Sequence, residues 1–313
     1  MPASKTFAQQ IKSGPMVVAP GAYDCITARV IEQAGFPCVY MTGAGTSAAH
    51  GLPDYGLLTM SEMVANARRI TSCISVPLVS DSDTGYGNEL NTYRTVQEFE
   101  RAGVAAIHIE DQVFPKKCGH LDDKELVSIE DFLAKIRAAV AARKSRDFQI
   151  IARTDSRAKA GFDEAVRRAN GALEAGADMA FLEAPQTLEE VALVPKLVKG
   201  PCLLNVVLGG KTPAVKLPDA EAMGYRIAIL PGMLLASVIG LCDKMLAEVK
   251  ETGLLAQPHS ASGGPAQTFA RFGAADWDER RTAYRPEVTS GVAAKPAAAS
   301  KPKKASSKRE AAE

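Results

Sequence analysis

An eightfold alternation constrains this chain more than any other feature. Short, almost wholly apolar runs recur at 16–19 (MVVA), 38–41 (CVYM), 77–80 (PLVS), 106–109 (AIHI), 149–152 (QIIA), 179–182 (MAFL), 202–205 (CLLN) and 227–230 (IAIL). A strand with one wet face alternates apolar and polar residues, whereas continuous apolar runs suit strands covered on both faces in a parallel sheet. Between the runs, 26–34, 61–71, 92–102, 130–142, 162–175, 188–198 and 233–249 carry apolar residues at the three- and four-residue spacing of a helix, and 213–223 does so more weakly. Gly35, Gly103, Gly176 and Gly224 stand where a helix C-terminus takes a left-handed residue. Eight βα units in about 250 residues predict an α/β fold of the (β/α)8 TIM barrel type rather than an open doubly wound sheet. The barrel domain is expected over 1–285, with its C-terminal helices. From Pro286 to Glu313 the Ala/Lys/Ser/Pro-rich sequence has no aromatic residue and carries six basic and three acidic residues. Such a segment buries too little apolar area to offset its ordering entropy, and a disordered tail is expected.

Composition excludes several classes. The 313 residues carry 37 basic and 36 acidic side chains, which argues against a basic nucleic-acid binder. No apolar run reaches the ~18–20 residues of a membrane span, and residues 1–10 lack a signal-peptide core. The six cysteines show no CxxC or Cys/His metal spacing. These features predict a cytoplasmic protein with reduced thiols and neither nucleic-acid nor membrane partners. Gly43-Ala44-Gly45-Thr46-Ser47-Ala48 follows a strand as a dinucleotide fingerprint would, but no dependable acid stands about 20 residues on. No GxSxG elbow marks a serine hydrolase. His50, His108 and His259 fit no metal spacing and read as structural.

In a (β/α)8 barrel the active site lies where the strands end. Here the runs end in Thr42-Gly43-Ala44, Asp81-Ser82-Asp83, Glu110-Asp111, Arg153-Thr154-Asp155, Glu183 and Asn205. Asp81 and Asp83 share one side of a period-2 strand, so both are expected to point at one centre with Glu110. Converging carboxylates repel unless a cation compensates, and hard oxygen ligands suit Mg2+ or Mn2+. Arg153 offers a guanidinium that grips a carboxylate bidentately. After the fourth run comes a long polar loop, Val113 to Val127, with Ser128 as the expected N-cap of the next helix. Loops that long in compact domains tend to be lids. This one carries a single thiol, Cys118, beside Lys116, Lys117 and His120. Nearby cations favour the thiolate and desolvation favours the thiol, so Cys118 is suited to proton transfer.

Lys116-Lys117-Cys118-Gly119-His120, preceded by Ile109-Glu110-Asp111-Gln112, resembles the signature of the isocitrate lyase/phosphoenolpyruvate mutase superfamily. Tyr40-Met41-Thr42-Gly43, Gly51-Leu52-Pro53-Asp54, Asp81 to Gly87, Ile151 to Asp155 and Gly176-Ala177-Asp178 match in order over about residues 5–255. The resemblance implies a barrel that forms homotetramers with a swapped C-terminal helix, Mg2+, and 2-oxo or 2-hydroxy diacid substrates. By position it implies that Asp81, Asp83 and Glu110 surround the metal. Thr42, Gly43 and Ala44 would bind a substrate carboxylate, and Arg153 the 2-oxo acid. Cys118 would be the acid on a closing loop, supported by Gly119 and His120. Asp54, Glu183 and Asn205 would be pocket residues whose roles vary.

The Cys-Gly-His trio resembles the lyase branch, which breaks a carbon–carbon bond, rather than the phosphonate mutases and hydrolases. This chain departs from particular lyases. Methylisocitrate lyases carry Thr where it has Val207 and an Arg after the eighth strand where it has Pro231 to Ala236. Dimethylmalate-type lyases often carry Glu where it has Leu208. A buried third carboxylate without a cation would be costly. The expected substrate is therefore an alkyl-substituted malate (2,3-dimethylmalate-like), cleaved to a 2-oxo acid such as pyruvate and a carboxylic acid. The alternatives are a 2-methylisocitrate lyase, or an oxaloacetate decarboxylase or hydrolase of the same superfamily.

Overall fold

The computed structural model describes residues 6–121, 123–254 and 264–285. Eight parallel strands, β1 (Val17–Ala22), β2 (Val39–Met41), β3 (Leu78–Asp81), β4 (Ala106–Glu110), β5 (Gln149–Thr154), β6 (Met179–Leu182), β7 (Cys202–Asn205) and β8 (Ile227–Leu230), close in sequence order, with β8 paired to β1. The helices are α1 (Phe7–Ser13), α2 (Cys25–Gln33), α3 (Gly43–Ala49), α4 (Met60–Cys73), α5 (Glu89–Arg101), α6 (Ile129–Ala142), α7 (Arg157–Ala160), α8 (Phe162–Glu174), α9 (Leu188–Leu197), α10 (Leu217–Met223), α11 (Met233–Thr252), α12 (Pro265–Ala270) and α13 (Ala274–Tyr284). The barrel with α1 to α11 is one compact unit, and α12 and α13 belong to a second. The 285/286 boundary expected from composition falls at the end of the described residues, and the tail lies outside them.

The closed parallel barrel bears out the alternation. Two packing layers explain the unbroken apolar runs. Val17, Ala19, Tyr40, Val79, Ala106, Ile151, Met179, Phe181, Leu203, Ile227 and Ile229 recur at every second strand position and form one buried cluster, the barrel interior. Their neighbours on the other face, among them Met41, Leu78, Ile107, Ile109 and Ile150, pack with Met63, Ile70, Phe99, Phe132 and Ile136 of the surrounding helices. Each such side chain, fully buried, contributes about 1.5–3 kcal/mol.

Phe7 and Ile11 join the interior cluster, so α1 stoppers the barrel. Arg226, one residue before β8, fixes it there, donating from Nε to Ile11 O (2.8 Å) and from Nη2 to Gly14 O (2.7 Å). The stoppered end is therefore the one where strands begin. Side-chain caps start the main helices at Asp24, Thr59, Asn88, Ser128 and Thr187.

Two elements depart from the sequence reading. β1 runs on through Pro20-Gly21 and pairs Pro20 with Leu230. A Cβ at Gly21 would overlap the Pro231 carbonyl, so this close approach needs glycine. Gly43-Ala44-Gly45 is the first turn of α3, with Thr42 as its cap accepting from Gly45 N (3.3 Å). Two glycines lower helix propensity, which is why that segment reads as a loop.

Candidate active site

The interior column changes character one step beyond its apolar layer. Tyr40, Val79, His108, Ile151, Phe181, Leu203 and Ile229 are followed, two residues on, by Thr42, Asp81, Glu110, Arg153, Glu183, Asn205 and Pro231. Strand periodicity thus lifts a polar ring onto the apolar plug, at the end where the strands finish. The ring opens into a cavity of about 120 Å³. That is well below the ~300–1,000 Å³ of drug-sized pockets and suits a small diacid. Of the expected site residues, Thr42, Ala44, Asp54, Asp81, Cys118, Gly119, His120, Arg153, Glu183 and Asn205 line it. Gly43 stands behind the lining and donates its N–H to Asp81 Oδ2 (3.2 Å). Asp83 and Glu110 also sit behind it, buried.

Arg153 organises the floor. Its Nε and Nη2 donate to the two oxygens of Asp155 (2.9 and 3.2 Å). Nη1 lies 3.2 Å from Glu110 and Nη2 3.6 Å from Glu183, and the guanidinium covers the Phe181 ring at 5.1 Å. Burial opposes its charge, but Asp155, Glu110 and Glu183 together outweigh that and hold it firmly protonated. Burial also pushes Glu183 up, yet Arg153, His120 and Asn205 bring it down to about 2. Glu110 goes the other way. Burial raises it well above the carboxylate range, Arg153 offsets only part, and Asp155 adds repulsion.

The second acidic group surrounds Lys116. Its Nζ, 3% exposed, donates to Asp54 and lies 3.1 Å from Asp83 Oδ1. Asp83 reaches it by a turn and not by strand alternation. β3 ends at Asp81, and Asp83 takes a left-handed backbone (φ 47°), with its N–H on Asp81 Oδ1 (2.9 Å) and its carbonyl on Glu110 N (3.0 Å). Asp83 thus lies close to Asp81 in sequence but is turned onto Lys116, and its backbone carbonyl, not its carboxylate, meets Glu110. Burial raises Asp83 to about 6, with Lys116 opposing and Asp81 and Asp54 adding. Asp81 stays ionised at about 2, because His108, Lys116 and Arg153 overcome its burial.

Among the described residues no three of His, Cys, Asp and Glu are drawn together as a ready metal cage. The donor chemistry nonetheless fits a hard cation. Both oxygens of Glu110 and Oδ1 of Asp83 are buried without a hydrogen-bond donor, although each carboxylate has a basic side chain close by. Mg2+ keeps several of its waters and is bound through few direct carboxylates, so it needs no closed protein cage.

The long loop is closed over this floor. Its stem is a short antiparallel pairing, with Gln112 opposite Leu126, Val113 N on Glu125 O (2.8 Å) and Val127 N on Asp111 O (2.9 Å). Ser128 caps α6 as expected, accepting from Asp131 N (3.1 Å). At the tip, Cys118 N donates to Asp54 O (3.2 Å). A Cβ on Gly119 would overlap Arg153, Glu183 and Asp155, so the tip rests directly on the floor. His120 Nδ1 accepts from Lys211 N (3.1 Å), which assigns its proton to Nε2, 3.1 Å from Glu183 Oε1. Burial raises the Cys118 thiol and Asp54 adds to it, against His120, Arg153 and Lys116. At neutral pH the group is a protonated thiol on the cavity wall.

A family model described as phosphoenolpyruvate phosphomutase matches residues 7–250. The chain belongs to the phosphoenolpyruvate mutase/isocitrate lyase superfamily. It is 53% identical to a 2,3-dimethylmalate lyase of Eubacterium barkeri over 217 residues, covering 69% of this chain and 75% of that one. It is 45% identical to a 2-methylisocitrate lyase of Aeropyrum pernix over 243 residues, 78% of each. Among solved structures, oxaloacetate acetylhydrolase with 3,3-difluorooxalacetate superposes with a TM-score of 0.85 at 35% identity, covering 90% of this chain and 96% of that one. Phosphonopyruvate hydrolase with oxalate and Mg++ gives 0.77 at 33% identity, covering 88% and 95%.

For this superfamily member, sequence reasoning missed four contributors. Tyr40 and His108 are hydrogen-bonded (2.8 Å) in the interior column beneath the ring, and burial lowers His108 to about 4. Their signal was the period-2 register of two strands, masked by apolar neighbours. Lys116, which the sequence offered only as a cation beside Cys118, and Lys124 are buried lid lysines. The two apolar residues after Asn205 also part company. Val207 lines the cavity, whereas Leu208 is 87% exposed. No helix among the described residues is long and apolar enough to cross a membrane.

Proposed function

We propose that this chain is a carbon–carbon lyase that cleaves a substituted malate-type 2-hydroxy dicarboxylate, 2,3-dimethylmalate or a near analogue, to a 2-oxo acid such as pyruvate and a carboxylic acid. One observation carries the reading. A half-buried, protonated thiol on a closed lid faces a small cavity whose wall holds a single Arg or Lys, Arg153. Arg153 grips the carboxylate next to the 2-hydroxyl, and Thr42 and Ala44 take a second carboxylate, with Gly43 behind them on Asp81. Val207, Pro231 and Leu235 form an apolar wall for the alkyl substituent. A third carboxylate would find no further cation there, which disfavours a tricarboxylate. Asp81, Asp83 and Glu110 would hold Mg2+ or Mn2+, which supplies Lewis-acid polarisation of the substrate oxygens when bound. A base takes the 2-hydroxyl proton, and the alkoxide becomes the C2 carbonyl as C2–C3 breaks. The electron pair passes to C3 and its carboxylate, and the Cys118 thiol gives C3 its proton. The seated lid keeps water from that carbanion-like fragment.

α11 supports a homotetramer with a swapped helix. None of its twenty residues is buried, and Val238, Ile239, Leu241 and Leu246 are exposed, which a second copy would cover. Six free cysteines fit the cytoplasm.

The test is 2-oxo acid release from malate, citramalate, 2,3-dimethylmalate, isocitrate and 2-methylisocitrate, with and without EDTA, alongside oxaloacetate consumption. Pyruvate from a substituted malate, abolished by EDTA, is expected. Preference for 2-methylisocitrate, or consumption of oxaloacetate alone, would overturn the reading.

A further inference from the structure

Lys124 sits near the end of the lid with its side chain 1% exposed. Lysine is almost never that buried unless paired. Its Nζ donates to Gly119 O at the lid tip and lies 3.5 Å from Asp155 Oδ1. That same oxygen accepts from Arg153 Nη2 at 3.2 Å. One ammonium thus ties together the tip that carries Cys118, the carboxylate that holds Arg153, and the stem side of the loop.

The charges make this arrangement consequential. Arg153 is held by Asp155 through two hydrogen bonds and lies near Glu183, while the third neighbour, Glu110, is kept protonated by burial. Left to itself, such a guanidinium is already over-compensated and offers an incoming anion little net attraction. His120 and Asn205 engage Glu183 from one side. Lys124 engages Asp155 from the other, and since it belongs to the same loop as Cys118 this contact is part of the closed arrangement. We propose that Lys124 is a positioning residue that locks the closed lid through Gly119 and, by sharing Asp155, releases Arg153 to hold the substrate carboxylate. Closure and anion binding then become one event, since the cation that strengthens the site arrives with the lid. This deepens the reading of the cavity as a diacid site and rests on it.

The experiment uses oxalate with Mg2+ as the probe and reads two quantities that need no turnover. One is the oxalate Kd by calorimetry. The other is the iodoacetamide alkylation rate of Cys118, followed by mass spectrometry of its peptide with and without oxalate. In the wild type, oxalate is expected to slow alkylation strongly. Lys124→Met is expected to weaken oxalate by about tenfold or more and to abolish that protection, with an unchanged Tm. Lys124→Arg, which restores the charge, is expected to recover most of both. Wild-type affinity and protection in Lys124→Met would overturn the proposal, and so would failure of Lys124→Arg to recover either. A chain that binds oxalate this way yet cleaves none of the diacids would sink the lyase reading and leave the latch standing.

Discussion

Asp81, Glu110, Arg153 and Asn205 are held by the strands they terminate, whereas Cys118, Gly119 and His120 are held by contacts that reach across from a loop. The rim is fixed by backbone register, as in Glu110 paired opposite Arg153 between β4 and β5. Its geometry exists before any ligand arrives. The lid has only a short stem, and its tip is placed by Lys116 on Asp54 and Asp83, Lys124 on Gly119 and Asp155, and His120 on Glu183. Charged groups on the rim are therefore structural as well as chemical, while those on the lid are chemical and conditional. Substitutions on the rim should cost stability and activity together. Substitutions at the lid tip should cost activity alone.

The largest expected effect tests the lid side. Cys118→Ser should lower kcat by about 10²–10⁴-fold, the usual contribution of a positioned acid, with the Tm unchanged. Near-normal cleavage would remove the thiol from the mechanism, and a lower Tm would blur the division between lid and rim. On the rim, Arg153→Met leaves Asp155, Glu110 and Glu183 buried without their cation. It should cost about 3–5 kcal/mol of stability in denaturant titrations as well as activity. Full stability in that variant would break the comparison.

His108, one layer below the rim, gives the third test. It is neutral in the fold because burial lowers it from 6.5 to about 4. Between these values the unfolded chain binds the proton and the folded chain does not, so stability falls as pH drops from about 6.5 to 4. The loss from this group reaches about 3 kcal/mol. Asp83 and Glu110, raised in the fold, act in the opposite sense over part of that range. The measurement is therefore the difference in stability between wild type and His108→Gln as a function of pH, with the wild type expected to lose ground relative to the variant as pH falls from about 6.5 to 4. The smallest effect lies where the lid rejoins the barrel. Ser128→Ala should cost about 1 kcal/mol as a lost cap and leave kcat alone. A drop in kcat would mean that the stem transmits strain to the tip.

Much of the rim was legible in the sequence, because a period of two is enough to say that Asp81, Glu110, Arg153 and Asn205 share one face of a barrel. The eight apolar runs located the strands, although β5 extends to Thr154 and β3 to Asp81, past the last apolar residue. The lid was legible as a long loop with a distinctive thiol. Its partners were not, because pairing of Lys116 with Asp54 spans 62 positions and depends on how two loops fold back over the barrel. The expectation that Asp83 shares a strand face with Asp81 failed, because its left-handed turn has no signature in residue type. Tyr40 and His108 were hidden by the rule that revealed their neighbours. A polar pair inside an apolar column reads as a slightly imperfect strand until its hydrogen bond is seen.

The stopper made by Phe7 and Ile11 has a kinetic meaning. It completes a packed interior column that leaves no exit below the site, so all traffic uses the lid side. One molecule enters, two fragments are made, and both must leave through the opening that the lid covers. The rate of a complete cycle is then bounded by how often the lid lifts, however fast the bond breaks beneath it.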